Sequence, residues 1–202
     1  MSEGSVQTVG PVRKYAVWLG IAVLGYLSQV CLMPYLVIFG VTPNLLFALV
    51  GVVTVAYGKL RAFWLGMIYG LLMEIMCPSV PMLNLAIYTL APLFCSFAFA
   101  DKPLKTLEYE RATNNRRREM PPWLRTVLCA VVNTLVYEAI HVTYIYLNGF
   151  PLMISHFLRA LLDLLLTGLL TALVMLPLRR AIFGPRSRMQ TLRPAPVTFT
   201  KA

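Results

Sequence analysis

Charge is what this chain mostly lacks. Only 13% of its 202 residues are Asp, Glu, Lys or Arg, and they are unevenly placed. Residues 15–58 carry no charged side chain, residues 62–100 carry only Glu74, and residues 126–178 carry only Glu138, Arg159 and Asp163. With 58% hydrophobic residues and a mean hydropathy of +0.71, too little polar surface remains to wrap a soluble core. Paired cysteines are missing as well. Cys31, Cys77, Cys95 and Cys129 make no CxxC spacing, which argues against a zinc site or a disulfide framework and leaves a Cys31–Cys77 bridge as the one conceivable pairing. There is no nucleophile elbow, no phosphate-binding glycine loop and no Cys–His signature, so the common catalytic motifs are absent.

Each charge-poor block is two membrane spans long, because a bilayer core about 30 Å thick needs roughly 20 apolar helical residues. The pattern predicts an all-α integral membrane protein with six transmembrane helices arranged as three outward hairpins. The spans fall at residues 15–33, 43–57, 62–76, 82–100, 126–147 and 155–178. Pro34 closes the first, Pro43 suits the first turn of the second, and residues 58–61 form a tight turn. Pro78 and Pro81 break the third from the fourth, inside which Pro92 introduces a kink. Residues 1–14 are then an N-terminal tail, 15–178 the membrane domain with a polar loop at 101–125, and 179–202 a basic tail that reads as disordered. No small-residue cleavage pattern follows the first span, so it is expected to stay as an anchor.

The basic residues fix an orientation. Arg13 and Lys14, Lys59 and Arg61, Lys102 through Arg125, and Arg179 onward all fall on one side of a six-span chain, and the opposite loops have no Lys or Arg. The positive-inside rule puts both termini in the cytoplasm, in a multi-pass protein of the bacterial inner membrane. Trp18, Trp64 and Trp123 sit near the basic feet, as interfacial indoles do. The net charge of +10 punctuates apolar spans without interleaved aromatics, which excludes a nucleic-acid surface. It suits anionic lipid at the cytoplasmic face, with docking of a cytosolic partner on 101–125 as the alternative.

Inside the spans, Ala62, Gly66, Gly70 and Glu74 recur every fourth residue and share one helical face. Small residues at that spacing admit another backbone, either within the chain or from a partner. Arg159, Asp163, Thr167 and Thr171 make a polar stripe at the same spacing, and Glu138 with His141 faces them from the fifth span. Glu74, Glu138, Arg159 and Asp163 are therefore expected to form one intramembrane polar cluster, with Arg159 held by Glu74 or Asp163. Glu138-x-x-His141 is half of a di-iron helix motif, but the other half is missing and no metal or cofactor is expected. A paired-carboxylate hydrolase would need Glu74 or Glu138 to stand beside Asp163, and no catalytic residue is assigned.

The run Thr42-Pro43-Asn44-Leu45-Leu46, the basic turn at Lys59 and Arg61, Gly66-x-x-x-Gly70-x-x-x-Glu74 and Asn84-Leu85-Ala86-Ile87-Tyr88 together resemble the rod shape-determining protein MreD family. The likeness covers about sixty residues; the acidic position is often Asp in that family, and the glycine usual after the outer turn is replaced near Leu83. The resemblance implies a non-enzymatic scaffold of the elongasome, supporting peptidoglycan synthesis with the single-span MreC, the actin-like MreB and the cell-wall synthases. It assigns the Ala62, Gly66, Gly70 and Glu74 face to partner binding. The family is also similar in its six-helix arrangement to the S components of energy-coupling-factor vitamin transporters, which gives the alternative function, substrate binding for uptake.

The orientation is testable by single-cysteine labelling in a background without native cysteines. Asn115 should label only from the cytoplasmic side, and labelling only from outside would overturn the topology.

Overall fold

The computed structural model describes residues 11–76, 80–100 and 120–183. Among them are six α-helices and no strand: α1 (Pro11–Cys31), α2 (Leu45–Tyr57), α3 (Lys59–Met76), α4 (Leu83–Phe99), α5 (Pro122–Leu147) and α6 (Ile154–Phe183). Three segments are long and apolar enough to cross a membrane, in α1, α5 and α6. The helices α2 and α4 are apolar but shorter, and α3 carries Lys59, Arg61 and Glu74. The all-helical expectation and its apolar spans are met at that level.

Several boundaries differ from expectation for local reasons. Helix α2 starts at Leu45 because Asn44 caps it, its side chain accepting a hydrogen bond from the Phe47 N–H at 3.2 Å. The turn between α2 and α3 is Gly58 alone, at φ +81°, so Lys59 and Arg61 already belong to α3. Pro122 opens α5 four residues early, as proline in a first turn can. Helix α6 continues through Pro177 to Phe183, so residues 179–183 are helical. Cys77, the rest of the expected 1–14 tail before Pro11, the loop residues 101–119 and the tail beyond 183 lie outside the described residues.

Helix α2 is the axis. Every residue from Leu45 to Val55 is buried, which follows from a helix apolar on all sides that the other five helices surround. At one end of the bundle the Trp18 indole donates to the Arg61 carbonyl at 3.3 Å, and the Arg61 guanidinium lies over the Tyr15 and Tyr57 rings. Lys59 covers Phe97 there, so the starts of α1 and α3 meet the ends of α2 and α4. The outer faces are apolar. On α6, Leu158, Leu161, Leu165, Leu169, Leu173 and Leu176 form an exposed ridge, a surface suited to lipid and not to water.

The small-residue face of α3 is filled from within. A Cβ on Gly66 would strike the Tyr88 carbonyl of α4, and one on Gly70 would lie 2.8 Å from the Leu85 Cα; Ala62 is fully buried. Pro92 lies inside α4 and cannot donate to the Tyr88 carbonyl four residues back, the atom against which Gly66 packs. Gly66 and Gly70 therefore admit the backbone of α4 within the chain, in place of a partner's helix, and Ala62 on the same face is buried.

Gly66→Ala should destabilise the protein by about 1–3 kcal/mol, since backbone, not a flexible side chain, must move. Gly20→Ala, with no atom near its Cβ position, should leave stability equal or slightly raised. Thermal unfolding of the two purified variants checks the contrast.

Candidate functional site

At the end of the bundle away from Arg61, backbone and side-chain polar groups are tied across helices. Asn44 is the node. Its N–H donates to Thr167 Oγ1 of α6 at 3.0 Å, its Nδ2 donates to the Tyr88 hydroxyl of α4 at 2.9 Å, and the next N–H, of Leu45, donates to Gln29 Oε1 of α1 at 2.8 Å. Tyr88 stacks on Phe47 with ring centroids 4.4 Å apart, and Tyr137 of α5 meets both edge-on. Thr167 passes the connection on, its hydroxyl donating to Asp163 Oδ1 at 3.1 Å.

Asp163 is buried, and its carboxyl faces that of Glu138 within hydrogen-bonding reach. Two carboxyls bond to each other only through a proton that one of them carries. The antiparallel register of α5 and α6 makes the meeting: Gly168 abuts Val131, and about two turns further along α5 the same register brings Glu138 to Asp163. Two helical turns of error would have separated them.

One turn beyond, Glu138, His141 and Tyr137 of α5 with His156 and Arg159 of α6 line a cavity of about 300 Å³. His156 Nδ1 accepts from the Met153 N–H at 3.1 Å, which leaves its Nε2–H as the ring's donor. The His141 ring lies against Tyr137, and its Nε2 is buried with no hydrogen-bond partner. Arg159 is exposed and forms no ion pair among the described residues. The expected clasp of Arg159 by Glu74 or Asp163 is thus replaced: Asp163 is engaged by Thr167 and Glu138.

Glu74 is also elsewhere. Its Oε1 accepts from the Met82 N–H at 2.8 Å and its Oε2 from the Asn84 N–H at 3.1 Å, so it caps the start of α4. Met82 has φ +64°, a left-handed conformation that costs a side-chain-bearing residue, and the carboxylate helps hold it there. Glu74 therefore leaves the expected cluster for the start of α4, while Glu138 lines one cavity with Arg159 and meets Asp163 behind it. Asn44 and Tyr88 stand in the sequence only within the runs that carry the resemblance, with no bonding role assigned, and Gln29 is not singled out at all; an Asn directly before an apolar run is a cap signal that points to the first.

Chemically, a carboxyl pair can move a proton, but only Glu138 of the two lines the cavity. Cys95 and Cys129 adjoin each other near Val55, and Cys31 is a free, exposed thiol. Among the described residues no three His, Cys, Asp or Glu side chains are grouped to hold a metal ion. Comparison with protein-family models, with curated proteins and with solved structures finds no match to the chain.

The couplings can be measured. Glu138→Gln and Asp163→Asn should be non-additive in a double-mutant cycle by about 0.5–3 kcal/mol, whereas Asp163→Asn and Arg159→Leu should add within about 0.5 kcal/mol. Thermal unfolding in detergent reads both, and the opposite pattern would return Arg159 to Asp163.

Proposed function

We propose that the chain is a non-catalytic, six-span scaffold of the bacterial inner membrane, related to the rod shape-determining protein MreD family, which holds a single-span partner of the MreC kind and supports lateral cell-wall synthesis. Both termini are cytoplasmic in this reading. The observation that carries it is convergence: the segments in which the resemblance resides meet in space. Asn44 donates to Tyr88, Gly66 and Gly70 receive Tyr88 and Leu85, and Glu74 caps the helix at Asn84. A motif whose members contact one another is a folding unit, so its spacing carries information beyond loose glycine periodicity. Met82, at φ +64°, adopts the kind of backbone that the family's glycine beside this turn would take without strain.

The short helices fit six spans. Helix α2 is about 20 Å long by its 13 residues, but protein surrounds it, so its length need not match the lipid. Helix α3 keeps its basic residues in the first turn and Glu74 in the last two turns.

With the α3 face filled, the partner's helix belongs in the groove between α4 and α5. That groove has a volume of about 460 Å³ and is lined by Ala86, Leu90, Phe94, Val132, Val136 and Ile140 among others. Its lining is nearly all apolar, as a lipid-embedded helix requires, and Ala86 allows close approach.

One observation favours the transporter S component instead: the polar cavity beside Glu138 and Arg159 is the kind of place a solute could occupy. Among the described residues α5 and α6 line it, and the other helices of the bundle do not enclose it, which weighs toward the scaffold.

Leu90→Trp and Ala86→Trp should reduce recovery of the crosslinked single-span partner from native membranes at least about tenfold, with unfolding temperature unchanged, because both side chains point away from the packed core. Recovery of an ATPase coupling module in place of a cell-wall protein would establish the transporter reading.

A further inference from the structure

A carboxyl group and a guanidinium share the α5–α6 cavity without pairing with each other. Glu138 stands on one wall, supported by Asp163 behind it, and Arg159 on the other; both line the space, and no ion pair joins them. They are about one helical turn apart in depth, since Asp163, which Glu138 meets, is four residues beyond Arg159 on α6. Ionisable side chains in an apolar helical bundle are costly unless something completes them. Two histidines add donors that the protein leaves unused. His156 has its Nε2–H remaining, and the buried His141 Nε2 has no partner.

We propose that this cavity binds a small zwitterion, an oxyanion such as phosphate or carboxylate held by Arg159 and His156 and a primary ammonium held by Glu138. The guanidinium offers a planar fork of donors that matches an oxyanion. The ammonium, a donor of three hydrogen bonds, matches the carboxyl oxygens that Glu138 presents to the cavity. A zwitterion uses both walls at once, whereas a ligand of one sign uses only one of them. The cavity, about 300 Å³, is at the small end of ligand sites, which suits a few heavy atoms and not a vitamin-sized ring system. Phosphoethanolamine has this chemistry and could come as a free solute or as the headgroup of phosphatidylethanolamine. The exposed Leu158 and Leu161 beside Arg159 would accommodate the acyl chains in the second case. The inference stands apart from the scaffold proposal, since it uses neither the α4–α5 groove nor a protein partner.

The test uses the full chain in phosphatidylcholine nanodiscs. Soluble phosphoethanolamine should raise the unfolding temperature more than inorganic phosphate or ethanolamine alone, or else phosphatidylethanolamine added to the disc should be retained selectively in native mass spectrometry. The first result assigns a free solute and the second a lipid headgroup, and both support the site. Glu138→Gln and Arg159→Leu should each weaken binding about tenfold or more. Because either change could unfold the bundle, Val142→Phe provides a second arm, filling the cavity from its apolar wall while sparing every polar contact. Loss of binding in a folded Val142→Phe protein supports the proposal. No effect of any probe overturns it, as does an equal effect of phosphate alone that survives Glu138→Gln.

Discussion

The buried N-terminus of α2 is the constraint on which the rest of this molecule depends. The first N–H groups of a helix have no partner within it, and inside an apolar bundle bulk water does not reach them. Every such group must be met by another element. Here Thr167, Gln29 and Asn44 meet the N–H groups of Asn44, Leu45 and Phe47, and in doing so they tie α2 to α6, to α1 and to itself. The second hydrogen-bonding arm of Asn44, its Nδ2, then reaches Tyr88 and fixes α4. One satisfied helix end thus sets the depth of three neighbours.

Other positions follow from that anchorage. Tyr88 lies where Asn44 can reach it and where Phe47 can stack on it, and the backbone at Tyr88 and Leu85 is what Gly66 and Gly70 admit. A larger residue on α3 would push α4 outward and break the reach to Asn44. On the other side, Thr167 accepts from the Asn44 N–H and donates to Asp163, so α6 is fixed at the height where Asp163 finds Glu138. Backbone contact, polar cap and carboxyl pair are mutually dependent, as expected where apolar burial between helices adds little and packing with hydrogen bonds must supply the specificity.

The helices were legible in the sequence because the gaps between charges match a membrane's thickness, and the prolines and Gly58 mark their ends. The stripes were legible too: the four-residue repeats of α3 and α6 do lie on single faces. What occupies each face was not. Gly66 and Gly70 announce a close approach, but α4 and a partner's helix satisfy the same spacing, and only the folded chain shows Tyr88 there. The cost of an unpaired charge in an apolar span groups Glu74 with Arg159, although a carboxylate at a helix end is as well served by the N–H groups of Met82 and Asn84 as by a cation. The Glu138–Asp163 meeting depends on the register of α5 against α6, and residue spacing within either helix says nothing about it. Asn44 stands in a quoted motif, but a single polar residue at the edge of an apolar run looks like a boundary, and only the folded chain shows that it is the joint.

The distribution of contact types also separates the surfaces that can change from those that cannot. Between α3 and α4 the approach is backbone on backbone, so no alternative rotamer relieves a substitution and the geometry is rigid. The α4–α5 groove is walled by Leu90, Phe94, Val136 and Ile140, side chains that can repack around a guest, and none of the hydrogen bonds at Asn44 passes through it. The division follows from the packing itself: helix register is held where backbone meets backbone and nothing can move, and the groove is the surface whose shape side-chain rotamers alone decide.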